Sequence, residues 1–136
     1  MHVGDILTDG AEGSLVGVHV LVIDDDEHAR DFVQAVLQSS GAVVTATRAG
    51  EALRAAALTA DVIVCDLATV EAAQGGFLDR LRQLHTHGAR AVPAIAVVPP
   101  GASNEASRRG NGFQRSVAKP VDEIELRTVV RELIGR

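Results

Sequence analysis

The chain has no tryptophan, no tyrosine, three phenylalanines and one cysteine in 136 residues. With so few aromatic faces for bases to stack on, no basic stripe and a formal charge of 13 − 18 = −5, a nucleic acid is not expected as a direct partner. One cysteine rules out a disulfide scaffold and a cysteine-ligated zinc site. Cys65 lies inside the apolar run Asp61-Val62-Ile63-Val64-Cys65-Asp66, the natural place for a small buried hydrophobe. No apolar run approaches the roughly 20 residues needed to cross a bilayer, and the first 17 residues lack a basic start followed by an apolar block. These absences point to a cytoplasmic, reducing setting. Internal repeats and low-complexity segments are missing too, and the length suits one domain with its own core.

What is present begins with Val20-Leu21-Val22-Ile23 running into Asp24-Asp25-Asp26-Glu27. This pattern predicts a buried strand that delivers carboxylates to the edge of a sheet. Crowded carboxylates repel one another and persist best where a cation neutralises them, so a divalent metal is the first expectation. Residues 1–17, with four glycines, three acids and little periodicity, read as a flexible leader or linker, leaving 18–136 as the folded domain.

Ala29, Phe32, Val33, Val36 and Leu37 predict an amphipathic helix with one core face, closed by Gly41. Ala42 to Ala46 reads as a second strand and residues 50–58 as a second helix. A third strand, Val62 to Cys65, ends on Asp66, and a loop with Gly75 and Gly76 leads to a helix carrying Phe77, Leu78, Leu81 and Leu84. Ala94 to Val98, between Pro93 and Pro99-Pro100-Gly101, is a fourth strand. A short helix over 104–109 and a brief strand at Ser116 to Ala118 follow. Asp122 with Glu125 three residues on signals the start of a last helix with Leu126, Val129, Val130, Leu133 and Ile134 on its core face.

Five strands alternating with five helices call for an α/β domain with a parallel sheet covered on both faces. Ligand sites in such sheets lie beyond the carboxyl ends of the strands, and Asp24, Asp25, Asp66 and Lys119 all fall at such ends.

Taken together, Ile23-Asp24-Asp25, Asp66-Leu67 and Lys119-Pro120 make the chain resemble the receiver domain of response regulators in two-component signalling, over about residues 18–134. The segments Gly112-Phe113-Gln114 and Ala118-Lys119-Pro120-Val121-Asp122 are most similar to receivers at the C-terminus of hybrid sensor histidine kinases. The resemblance implies a flavodoxin-like, doubly wound five-stranded parallel sheet of order 2-1-3-4-5. It implies that Asp66 attacks the phosphoryl group of a phosphohistidine to give an aspartyl phosphate. Mg²⁺ would be held by Asp25, Asp66 and the backbone carbonyl of Ala68, with Asp24 acting through water, and Lys119 would meet a phosphoryl oxygen. The implied partners are a sensor histidine kinase or a phosphotransfer domain, with a homodimer also allowed and no membrane contact by this domain. Enzymatic turnover is not implied beyond self-phosphorylation and autodephosphorylation.

The departures from the family concern how a phosphoryl group would be noticed. Val98 stands where the family usually has Thr or Ser, and valine has no donor; Ser116 replaces an aromatic residue. The segment from Leu67 to Gly76 lacks the customary proline and is one residue longer than the family loop. The expectation is a phosphoacceptor whose usual coupling is absent. One alternative is a degenerate receiver that serves as an interaction module without phosphorylation. A haloacid-dehalogenase-type phosphatase using Asp24 and Asp26 is disfavoured by His28, where that family has Thr or Val, and by the lack of a cap insertion.

Other residues take plainer readings. Asp26 and Glu27 belong to the helix start, where acids complement the dipole. His85 and His87, two apart, would diverge on a helix and make no metal site. His28 is expected near the site mouth, and Arg108, Arg109 and Arg115 on a solvated face.

Overall fold

In a computed structural model the described residues are 14–52, 54, 60–73, 76–84, 92–102 and 112–136. Five strands, β1 (His19–Ile23), β2 (Val43–Thr47), β3 (Val62–Asp66), β4 (Ala94–Val98) and β5 (Arg115–Ala118), form one parallel sheet in the order β2-β1-β3-β4-β5. This is the expected flavodoxin-like order 2-1-3-4-5. The described helices are α1 (Glu27–Ser39), α2 (Ala49–Ala52), α3 (Leu67–Ala72), α4 (Phe77–Leu84) and α5 (Glu123–Leu133). The helix expected over 104–109, most of the second half of that expected over 50–58, and His85, His87, Arg108 and Arg109 lie outside the described residues.

The central strands β1, β3 and β4 are apolar apart from His19 at the start of β1 and Asp66 at the end of β3. Successive strand side chains point to opposite faces, so Val20, Val22, Val62, Val64, Ile95 and Val97 join one core with α1 and α5. Leu21, Ile23, Ile63, Cys65, Ala94, Ala96 and Val98 join the other with Phe77, Leu78 and Leu81 of α4. Neither face could be left polar, because both are covered by helices.

Local signals set the helix ends. Asp26 caps α1, its Oδ1 accepting the His28 N–H at 3.0 Å, and Glu27 sits in the first turn. At the far end Gly41, with φ of 97°, donates to the Gln38 carbonyl while Ala42 donates to that of Leu37, the paired bonds of a Schellman closure. A side chain there would meet Val16 Cγ2 at 2.6 Å. Asp122 caps α5 by accepting the Glu125 N–H at 2.9 Å.

Three expectations are corrected. Leu15, assigned to the leader, is 0% exposed, joins the first core and donates its N–H to the Ser40 carbonyl, so packing begins before Val18. Phe32, assigned to the core face of α1, is 43% exposed, because the stripe that meets the sheet is Val33, Val36 and Leu37. The segment after Asp66 starts not as a loop but as helix α3. Leu67-Ala68-Thr69-Val70-Glu71-Ala72 contains no proline to stop a helix, and Asp66 supplies its cap.

Candidate functional site

The site gathers at the carboxyl ends of β1, β3 and β5. Asp24 follows β1 and is 5% exposed; its N–H bonds the Thr47 carbonyl at 3.1 Å and its Oδ1 accepts the Asp26 N–H at 2.9 Å. Arg30 donates to the Asp24 carbonyl at 3.0 Å, tying α1 back to the strand end. Burial pushes the Asp24 carboxyl above its ordinary range; the Asp26 N–H opposes this, while the nearby Asp66 charge adds to it.

Asp25 behaves differently. Its carboxylate is exposed, its Oδ1 accepts the Ala49 N–H of α2 at 2.9 Å, and its own N–H donates to Thr69 Oγ1 at 3.2 Å. It faces a cleft with Arg30, Arg48 and Glu51, whereas Asp24 faces a groove with His28, Phe32, Lys119 and Pro120. His28 is therefore at the mouth, as expected, and exposed.

Asp66 ends β3 and is 7% exposed. Both of its oxygens are engaged. Oδ1 meets Lys119 Nζ at 2.8 Å, and Oδ2 accepts the Thr69 N–H at 2.9 Å and the Thr69 hydroxyl at 3.0 Å. Lys119 follows β5, with its N–H on the Val98 carbonyl at 2.8 Å and a cis bond to Pro120. The bond to Asp66 holds the Lys119 ammonium above its usual pKa, against a partial burial that acts the other way. Lys119 is the only lysine among 13 basic residues, a signal that composition alone could have offered.

The structure thus brings Asp24, Asp66 and Lys119 together and leaves Asp25 turned aside. Among the described residues no group of three or more His, Cys, Asp or Glu side chains stands close enough to hold a metal ion. The chemistry of the donor set still suits a hard cation, since Asp24, Asp25 and Asp66 offer only carboxylate oxygens from adjacent strand ends. Bringing Asp25 in requires giving up one surface hydrogen bond to Ala49, worth about 1 kcal/mol. Ala68, whose backbone carbonyl is the remaining expected ligand, lies in the first turn of α3.

At the end of β4, Val98 is fully buried in the second core with Cys65 and Ala118. On β5, Ser116 lies in register with Ala96 of β4. Burial pushes the Cys65 thiol up, so it is packing rather than chemistry. Arg115 is a surface group paired with Glu132 at 2.7 Å. The residue that sequence reading passed over is Thr69, 6% exposed and bonded twice to Asp66. Its signal was the spacing Asp66-x-x-Thr69 at the start of a proline-free segment, a capping pattern that a loop template conceals.

No family model matches the chain. A 14.6 kDa uncharacterised protein from the sodA1 3′ region of Leptolyngbya boryana is 32% identical over 124 residues, covering 88% of this chain and 92% of its own. The receiver domain of a sensor histidine kinase from Pseudomonas aeruginosa PAO1, solved with a magnesium ion coordinated in its active-site cleft, is 25% identical with a TM-score of 0.70, covering 89% of this chain and 100% of its own. The receiver domain of a Francisella response regulator is 27% identical with a TM-score of 0.69, covering 88% of this chain and 98% of its own.

Proposed function

The chain belongs to the receiver domains of response regulators, and from that membership we propose that it is a phosphoacceptor signalling module in which Asp66 takes a phosphoryl group from a histidine kinase or a phosphotransfer domain. The observation that carries this reading is the 2.8 Å contact between Asp66 Oδ1 and the Lys119 ammonium, at the carboxyl end of the sheet and beside Asp24. Asp66 supplies the nucleophilic oxygen, and Lys119 supplies a cation where charge accumulates as the incoming anion approaches. Asp24 keeps the site anionic and so favours a cation over a bare phosphate. Asp24, Asp66 and, after release of Ala49, Asp25 are the groups that would hold Mg²⁺, which when bound supplies further positive charge for the phosphoryl oxygens. The magnesium-bearing Pseudomonas receiver supports this assignment. Its origin in a sensor kinase, with the Lys119-Pro120 segment, supports placing the chain among kinase-linked receivers.

Incubation with acetyl phosphate and Mg²⁺, followed by intact mass, tests the reading. One phosphoryl group is expected on the wild-type chain and none on Asp66→Asn or after chelation with EDTA. A wild-type chain that stays folded and unmodified would sink it.

A second reading rests on a specific observation: the Asp66 carboxylate is already used as the cap of α3. Under it, with Val98 and Ser116 replacing the usual switch residues, the domain acts through protein contacts without phosphorylation. The same mass measurement separates the two.

A further inference from the structure

We propose that Thr69 is the positioning residue through which the domain registers the state of Asp66, with α3 as the responding element; this rests on the phosphoacceptor reading above. The family's usual hydroxyl position at the end of β4 is occupied by Val98, whose side chain is packed in the apolar core and carries no donor. The hydroxyl that does reach the phosphoacceptor belongs to Thr69, three residues further along the same segment. Thr69 Oγ1 accepts the Asp25 N–H at 3.2 Å and donates to Asp66 Oδ2 at 3.0 Å, while the Thr69 N–H donates to the same oxygen at 2.9 Å. The two acidic strand ends are thereby joined through one buried side chain. No solvent needs to intervene.

Phosphorylation changes the acceptor at the centre of this arrangement. An Asp66 oxygen forms a bond to phosphorus as the bond from phosphorus to the leaving acetate oxygen, or to the histidine nitrogen, breaks; the leaving group takes the electron pair. Oδ1, beside Lys119, is the oxygen free of the Thr69 bonds. Once it is phosphorylated, Oδ2 is no longer part of a carboxylate but the carbonyl oxygen of an acyl phosphate. It carries less charge, so both Thr69 bonds weaken from charge-assisted to neutral. Lys119 is drawn at the same time toward the phosphoryl oxygens.

The element behind Thr69 is poised to respond. α3 has six residues, too few to stand on propensity alone, so it depends on its Asp66 cap and on the packing of Leu67, Val70 and Ala73 against the second core. That core also contains Val98, Phe77 and Leu78, so a shift of α3 is felt by β4 and α4 without a polar residue on β4.

The test uses the full chain labelled with ¹⁵N, with and without acetyl phosphate and Mg²⁺, reading intact mass and amide hydrogen exchange together. In wild type, the phosphorylated form is expected to exchange the Thr69 amide about tenfold faster, the factor equivalent to the roughly 1.4 kcal/mol by which a hydrogen bond to a charged acceptor outweighs a neutral one. Thr69→Val is expected to exchange fast at Val70 and Glu71 before any phosphate is added, and Thr69→Ser to restore the wild-type contrast. Were the adduct to form while the Thr69 to Glu71 amides kept their rates, the coupling would be wrong and the phosphoacceptor reading would stand. If no adduct forms on wild type, the phosphoacceptor reading fails and the coupling fails with it.

Discussion

The ends of β3 and β4 lie side by side in register, Asp66 opposite Val97, yet they are built on opposite principles. At the end of β3 a nearly buried carboxylate is satisfied on both oxygens by Lys119 and Thr69. One residue past Val97, Val98 is apolar, fully buried and surrounded by core side chains. A buried charge persists only with partners, and each partner is a place where a change of charge is felt. A buried valine registers only volume. The contrast teaches that any response to chemistry at Asp66 has to leave through the groups bonded to it.

The largest expected effect addresses the β4 side. Val98→Ala removes two methyl-sized groups from a packed core and should cost about 2 kcal/mol of stability in urea unfolding, with the Asp66 adduct still forming under acetyl phosphate. Loss of that adduct in a folded variant would show that Val98 does more than fill space.

Next in size, Thr69→Val removes a hydroxyl bonded to a charged acceptor and should cost about 1.5 kcal/mol, the loss appearing first as faster amide exchange within α3. A cost near zero would mean that the Thr69 hydroxyl bond to Asp66 is dispensable and would weaken the contrast between the strand ends.

A smaller effect, of opposite sign, is expected at Asp24. Its pKa in the folded chain is raised, so the folded state binds the proton more tightly than the unfolded one. The group therefore lowers stability as pH rises from the ordinary carboxylate value through the raised one. Asp24→Asn should raise Tm at neutral pH, with the gain vanishing as pH falls below the ordinary carboxylate range. A lowered Tm at neutral pH would overturn the assignment. At the bottom of the scale, native Cys65 should not react with a thiol reagent, since its sulfur is buried and its thiol held protonated.

Much of the fold was legible because it follows from patterns with a fixed period. Runs such as Val62 to Asp66 and Ala94 to Val98 are too apolar for anything but central strands, and Asp122 with Glu125 marks the start of α5. Asp24, Asp66 and Lys119 were legible as strand-end residues, since a parallel sheet brings such ends to one edge whatever their separation along the chain. Phe32 was misplaced because a helical stripe wider than its contact with the sheet leaves one margin exposed. Leu15 was missed because the apolar residues of that glycine-rich stretch follow neither a helical nor a strand period.

By itself, then, the amino-acid sequence determined the α/β alternation, the strand order implied by the family resemblance and the three ionic groups of the site. It did so because hydrophobic period and residue type are local properties. Only the tertiary structure decided what those groups touch: that Asp25 turns to Ala49, that Ala68 is locked in a helix, and that Thr69 closes on Asp66. Those outcomes depend on which donor reaches which oxygen once the strand ends are side by side, and no reading of spacing along the chain contains that distance.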